Sequence, residues 1–244
     1  MEKHIRIQSL INETEDFINL MPMVFSSCIE GKHRSGTTFD VDNFEMIIQR
    51  YSLRMLYHAN NFITGLLDIA ESNIDKVPVN DKLGFQIGPN IYFEFDAFLY
   101  SCKSIFEENI LNKGKQYFRD DRKARFIEIA KASHDGFIKN MLLDFRNEAV
   151  HLEYWGTSIS QVILIGNRDG KIDLHLHSTF KNASGDEFNL IDVFMRLCSE
   201  SCRVLRDIFT LVIKEMISKH GTPNKIDIKL HSGSSIFKIK DFLD

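Results

Sequence analysis

The chain contains few cysteines, few prolines and a single tryptophan. Its 244 residues include four cysteines and four prolines. The cysteines, Cys28, Cys102, Cys198 and Cys202, form no Cys-x-x-Cys pair, so a reducing cytoplasm is the expected location. Cys198 and Cys202 are four residues apart on a predicted helix and can share one face, where two buried thiols are favoured over a redox pair.

Long apolar runs and several well-known catalytic motifs are missing as well. No stretch has the length and apolarity needed to span a bilayer, and the N-terminus has no uninterrupted apolar signal region. The chain has no Gly-rich phosphate loop, no Gly-x-Ser-x-Gly elbow and no helical His-Glu-x-x-His, which sets aside nucleotide-dependent kinases, α/β-hydrolases and zincins. A net charge of -4 argues against a protein that coats nucleic acid non-specifically, although a local basic site can still exist.

The residues that are abundant indicate an ordinary globular protein with an aromatic core. Hydrophobic residues make up 43% of the chain and charged residues 26%, and there are 20 phenylalanines. A chain of this length can bury a core without disulfides or structural metal. With no internal repeat and no low-complexity linker, residues 1–244 are expected to form a single domain that needs no cofactor.

Apolar residues recur at helical spacing along most of the chain. Helices are predicted over residues 4–20, ending near Pro22, and from a cap at Asp40 or Asp42 to about residue 73. Residues 30–38 and 73–88 are predicted loops. Pro89 is expected to open a third helix that runs to about residue 112, and further helices are predicted at about 125–132 and 187–219.

Two segments alternate apolar and polar residues, as β-hairpins do. One covers residues 158–178 around the turn NRDG, and the other covers residues 224–242 and could join the first. The fold class is therefore predicted as mainly α, a helical bundle with a small β-hairpin appendage.

A helix predicted after Asp135 and Gly136 carries the residues with the clearest chemical potential. Asn147 and His151 are four residues apart and lie on one helical face, and Arg146 precedes them. Metal-free RNA cleavage needs a base near the ribose 2′-hydroxyl and a cation beside the phosphorane. Histidine and arginine meet those two needs at neutral pH.

The segment Arg146-Asn147-Glu148-Ala149-Val150-His151 resembles the Arg-polar-x-x-x-His motif of the HEPN family. The resemblance covers about residues 42–152, with the helix at 187–219 as an additional member of the bundle. It implies a metal-independent endoribonuclease in which Arg146 binds phosphate, His151 is the base and Asn147 positions one of them. Glu94, on the helix IYFEFDAFLYSCKSIFE, is the choice for an acidic partner.

The resemblance also implies partners. HEPN proteins are often toxins or phage-defence components, and they commonly dimerise through the motif helix. RNA, a second copy of the chain and an inhibitory protein are therefore the expected partners. The apolar Leu143 and Val150 beside the motif are consistent with a homodimer.

Alternatives to catalysis stay open at the motif. Arg146 and His151 are separated by about 140° on an ideal helix, so Arg146 must reach across or a second subunit must complete the site. In the structural alternative, Arg146 pairs with a carboxylate and His151 is a favourable cation at the helix end. The functional alternative is a non-catalytic HEPN-like module that binds RNA, nucleotide or protein.

Two further sets of residues could bind RNA or a metal, with weaker support than the motif. The basic residues Arg119, Arg122, Lys123 and Arg125 could bind RNA, but Asp120 and Asp121 interrupt them, which favours a solvated surface. His175 and His177, with His231 as a conceivable third ligand, could bind zinc. A solvent-facing polar row is favoured there, and no metal is predicted.

Overall fold

A computed structural model describes residues 2–35, 43–106, 111–133, 162–168, 171–176, 179–181, 187–220, 227–229 and 236–238. This part of the chain contains six α-helices, which are α1 (Glu2–Ser35), α2 (Asn43–Asn73), α3 (Pro89–Lys103), α4 (Leu111–Tyr117), α5 (Asp120–Ser133) and α6 (Leu190–His220). The predicted mainly helical fold with a minor β part is confirmed. No helix among these combines the length and the apolarity needed to cross a bilayer.

The strands form three small antiparallel sheets. They are β1 (Asp81–Gln86), β2 (Val162–Arg168), β3 (Lys171–Leu176), β4 (Thr179–Lys181), β5 (Glu187–Asn189), β6 (Asp227–Lys229) and β7 (Ile236–Lys238). The largest sheet has the order β1-β2-β3, while β4 pairs with β5 and β6 pairs with β7. Both predicted hairpins are thus present, but within the described strands the C-terminal hairpin pairs only with itself.

Phenylalanine rings join the helices in the core. Phe62 of α2 and Phe194 of α6 have ring centroids 4.6 Å apart, and Phe98 of α3 lies 5.2 Å from Phe194. The apolar stripe predicted on the third helix is confirmed, because all its members are buried: Ile91, Phe95, Phe98, Leu99, Cys102, Ile105 and Phe106. Helix α1 packs on α2 and α6, α2 packs on α3, and α5 packs on α6.

The first helix is longer than predicted. Pro22 lies inside α1, which continues to Ser35, so the predicted helix end near Pro22 and most of the predicted loop at 30–38 are wrong. An interior proline costs a helix roughly 3 kcal/mol. Leu20, Met21 and Val24 are buried on both sides of Pro22, while Pro22 itself is exposed. Burial of these side chains offsets the lost hydrogen bond, so the helix continues.

The predicted loop at 73–88 contains a strand. A 3-10 turn at Ile74–Lys76 is followed by β1, whose six residues pair with β2 from Asp81 opposite Asn167 to Gln86 opposite Val162. Most of β1 is exposed, so it lacks the apolar alternation by which strands are recognised. The pairing partner lies about 80 residues away and leaves no local signal.

Three other predicted helix boundaries differ from those in the structure. Helix α3 ends at Lys103, a π-helical turn covers residues 104–106, and residues 111–117 form α4. Residues 107–110 lie outside the described residues, so the predicted run of the third helix to about residue 112 can be followed only to residue 106. Helix α5 begins at Asp120 rather than at residue 125. The long later helix begins at Leu190, because residues 187–189 form β5.

Candidate functional site

The motif residues Arg146, Asn147 and His151 lie outside the described residues, and so do Leu143 and Val150. Their arrangement therefore stays a prediction from the sequence. Of the predicted catalytic set, the structure places Glu94.

Glu94 is held by a histidine from the neighbouring helix. Its Oε2 atom lies 2.7 Å from Nδ1 of His58, so α3 and α2 are joined by this hydrogen bond. Both side chains are partly buried, with 17% of His58 and 29% of Glu94 exposed. A carboxylate fixed in this way keeps lone pairs for a further cation or N–H donor.

Three exposed aromatic rings lie on α2 and α3, and one of them contacts His58. The Tyr57 ring meets the His58 ring edge-on, with centroids 5.4 Å apart, and Tyr57 is 61% exposed. Phe93 and Tyr100, seven residues apart on α3, are 67% and 55% exposed. Seven residues are close to two helical turns, so these two rings lie on one face of α3. Aromatic faces of this kind can stack on planar ligands.

Asp96 is a second acidic residue of α3, and its environment differs from that of Glu94. The residue is half-buried, and its Oδ1 atom is buried without a hydrogen-bond partner among the described residues. Burial raises the pKa of Asp96 to about 6, because the charged form loses water.

The basic residues of the predicted RNA-binding run have two different environments. Arg122 donates from Nε to Glu215 Oε2 at 2.6 Å and from Nη2 to Ser218 at 3.0 Å, which ties α5 to α6. Arg125 pairs with Glu128 one turn along α5. Arg119 and Lys123 are exposed, and their side chains make no hydrogen bond or ion pair with other described residues.

The ion pair between Arg122 and Glu215 joins α5 to α6. Glu215 is only 1% exposed, so its carboxylate depends on Arg122 for neutralisation. Nearby, the Lys219 ammonium lies 3.7 Å from the centre of the Tyr117 ring, a cation–π contact. The Tyr117 hydroxyl in turn donates to Glu45. These contacts stabilise the packing of the helices, and the Arg122 guanidinium is already bonded to Glu215 and Ser218.

Three cysteines are buried together in the core. Cys198 and Cys202 of α6 and Cys102 of α3 are all free thiols with no exposed surface, which confirms the predicted burial of the α6 pair. The hydrogen bond from Cys198 lowers the pKa of Cys202 and raises that of Cys198. Burial raises the pKa of the Cys102 thiol.

The structure describes only one of the three histidines that could act as zinc ligands. His175 lies on β3, while His177 and His231 fall outside the described residues. Across the ranges that the structure covers, no group of three His, Cys, Asp or Glu side chains could hold a metal ion.

His58, the partner of Glu94, could not be identified as a site residue from the sequence. It occupies an ordinary position on the predicted helix of α2, 36 residues before Glu94. A contact between two helices leaves no spacing signal in the chain. Only its place on the side of α2 that packs against α3 distinguishes it.

Comparison with models of known protein families gave no match, and neither curated proteins nor solved structures gave one. The resemblance to the HEPN family therefore depends on the sequence motif alone and stays a prediction.

Proposed function

We propose that the protein is a metal-independent endoribonuclease of the HEPN type. One observation carries the proposal, the sequence Arg146-Asn147-x-x-x-His151, which supplies an arginine of the kind that binds phosphate and a histidine of the kind that serves as a base at neutral pH. The mainly helical fold gives general support, because the family motif belongs to a helical bundle.

The chemistry needs no group beyond these side chains and the RNA. His151 takes the proton of the ribose 2′-hydroxyl, and the 2′-oxygen then attacks the adjacent phosphorus. The bond from phosphorus to the 5′-oxygen breaks, and the proton on His151 returns to that oxygen. The products are a 2′,3′-cyclic phosphate and a 5′-hydroxyl end. Arg146 binds the phosphate oxygens as their negative charge grows, and Asn147 positions His151 or the substrate.

Glu94 is the proposed acidic partner of this site. Its hydrogen bond to His58 fixes the carboxylate at the α2 and α3 contact, where it can orient a cation. The exposed Arg119 and Lys123 are proposed as outer contacts for RNA phosphates. Arg122 and Arg125 are weaker choices, since carboxylates already neutralise them.

The proposed partners follow from the same family. RNA is the substrate, a second copy of the chain docks through the motif helix, and an inhibitory protein restrains cleavage. A role as a toxin or as a phage-defence component would require such restraint.

The direct test is RNA cleavage in EDTA by the wild type, His151→Ala and Arg146→Ala. Arg54→Ala serves as the control, because Arg54 is an exposed cation of α2 without a described partner. Wild type and Arg54→Ala should cut, and the motif variants should lose at least about 100-fold in rate. The fragments should carry 5′-hydroxyl ends, and a 2′-deoxy substitution at the cut position should block cleavage.

Two outcomes would redirect the proposal. Equal cutting by all four proteins would mean that the motif is not the site. RNA binding without cleavage by the wild type would favour the non-catalytic module.

Mixing the two inactive variants tests whether one site uses two subunits. If Arg146 of one copy serves His151 of the other, a mixture of Arg146→Ala and His151→Ala recovers part of the activity. A mixture as inactive as its components indicates that each copy must hold both residues.

A further inference from the structure

The large hydrophobic side chains that are exposed in the described ranges all belong to α2, α3 and the segment between them. They are Met46, Tyr57, Val79, Leu83, Phe93 and Tyr100. Phe194 of α6 packs against Phe62 of α2 and Phe95 of α3, so α6 covers the inner side of these two helices. The exposed side chains of α2 and α3 therefore form an outer face, and an exposed apolar face of this kind indicates an interaction site.

A row of side chains on α2 runs along this outer face. Its members follow one another at alternating spacings of four and three residues, which keeps them on one side of a helix. They are Arg50, Arg54, Tyr57, Asn61, Thr64, Asp68 and Glu71. The row contains every exposed charged side chain of α2, and none of these charges forms a hydrogen bond or an ion pair with another residue that the structure describes.

The order of the charges along this row is unfavourable within one helix. Arg50 and Arg54 are four residues apart, and Asp68 and Glu71 are three apart, so each pair places like charges beside each other. Glu71 also lies in the last turn of α2, where the helix dipole favours cations, and that turn has no basic residue. A second helix that brings cations to the acidic half and anions to the basic half would remove both costs.

We propose that a second copy of the chain binds to this outer face, with the two α2 helices antiparallel about a two-fold axis at Asn61. Arg54 precedes Asn61 by seven residues and Asp68 follows it by seven. The axis therefore brings Arg54 of each copy opposite Asp68 of the other. Arg50 and Glu71 lie at nearly equal distances on either side of Asn61 and form a second pair in the same way.

The same axis produces a contact between a large and a small side chain on α3. Phe62, the neighbour of Asn61, has its ring centroid 5.3 Å from that of Phe95, so the axis crosses α3 near residue 95. Phe93 precedes this residue by two and Ala97 follows it by two. The exposed Phe93 ring of each copy therefore lies over Ala97 of the other, where the small side chain leaves room for the ring.

The size of the contact suits a dimer, and its polar composition makes that dimer weak. The row on α2 is about 32 Å long and the two helices together are about 20 Å wide. This footprint is comparable with the roughly 800 Å² that each partner buries in a stable interface. Exposed ion pairs contribute little, so the dissociation constant should be of the order of 10 µM or weaker. Sub-micromolar samples therefore contain the monomer, in which the row is exposed.

Sedimentation equilibrium of the full chain, from sub-micromolar to near-millimolar concentration, is the first test. The wild type should change from monomer to dimer over this range. Added salt should move the change to higher concentration, because it screens the ion pairs. A chain that stays monomeric throughout the range overturns the proposal.

Charge reversal tests the pairing of Arg54 with Asp68. Arg54→Asp and Asp68→Arg each place like charges opposite each other at two symmetric positions, so each variant alone should self-associate at least tenfold more weakly. In an equal mixture, one copy of each variant brings opposite charges together at both positions. The mixture should therefore dimerise about as well as the wild type, and a mixture that associates no better than its components overturns the proposal.

Two control variants separate this contact from others. Lys131→Asp is a matched charge reversal at an exposed position of α5, which packs on α6, and it should leave the dimer unchanged. Val150→Arg changes the motif helix, through which docking of a second copy is proposed separately, and it should also leave this dimer unchanged. Dissociation by Val150→Arg together with an unaffected Arg54→Asp would place the second copy on the motif helix instead and overturn the proposal.

Discussion

Two carboxyl groups on α3, two residues apart, have different surroundings. Glu94 lies near the surface and is paired with His58, while one oxygen of Asp96 is buried and has no hydrogen-bond partner in the part of the chain that the structure describes. Because desolvation penalises only the charged form, it makes Asp96 a pH-sensitive residue of the fold.

Asp96 should make the folded state less stable as pH rises from about 4 to about 6. The folded pKa is about 6 against 3.8 for an unperturbed aspartate, so the folded chain holds a proton that the unfolded chain has released. The free energy of unfolding then falls with pH over that window. The residue is half-buried and water screens part of the effect, so the loss is about 1 kcal/mol.

Asp96→Asn removes the titrating group and keeps the shape. Urea unfolding at pH 4.5 and pH 7.5 should show a difference between wild type and variant that favours the variant at pH 7.5. The other titrating groups are common to both proteins and cancel. A difference that is the same at both pH values would contradict the proposed burial of the charge.

At the scale of one element, α1 shows that packing determines where a helix ends. Pro22 is exposed inside the helix, with buried Met21 and Val24 close by. The fold therefore retains a proline that makes no buried contact and removes a helical hydrogen bond.

Pro22→Ala should raise the free energy of unfolding by about 1–3 kcal/mol, since alanine restores the hydrogen bond and loses no core packing. Glu15→Ala is the matched control, an exposed site on the same helix, and should change stability by no more than about 0.5 kcal/mol. Chemical denaturation of the three proteins measures the effect. A destabilised Pro22→Ala would show that the proline shapes a bend the core needs.

Elements with strong local patterns could be predicted from the sequence. The stripe of α3 repeats at helical spacing, and β2 and β3 alternate around a recognisable turn, so each element was located within a few residues. Strand β1 is exposed and pairs with a distant strand, so its six residues have no pattern of their own. The end of α1 depends on burial against other helices, which no local residue encodes.

The same physical limit applies to the candidate site. Arg146, Asn147 and His151 are close together in the sequence, so spacing alone suggests them as a motif, and their role stays a prediction. The pairing of Glu94 with His58, and of Arg122 with Glu215, joins residues that are distant in sequence. The charge pattern identified a basic run that includes Arg122. It could not predict that the buried carboxylate of Glu215 forms an ion pair with Arg122.

At the scale of the molecule, one aromatic cluster joins α2, α3 and α6. Phe194 of α6 contacts Phe62 of α2 and both Phe95 and Phe98 of α3. The helix that carries Glu94 is thus connected to α2 by the His58 hydrogen bond and to α6 by ring packing. Helices joined in this way are expected to unfold together.

Phe194→Ala should lower the free energy of unfolding by about 3–5 kcal/mol, because it leaves a cavity among rings from three helices. Phe93→Ala is the control, since Phe93 is of the same type, lies on α3 and is 67% exposed. If residues 1–244 form a single domain, far-ultraviolet circular dichroism and tyrosine fluorescence should report one coincident transition in the wild type and in both variants. Two separate transitions, with only one shifted by Phe194→Ala, would instead divide the chain into two units and restrict the aromatic core to one of them.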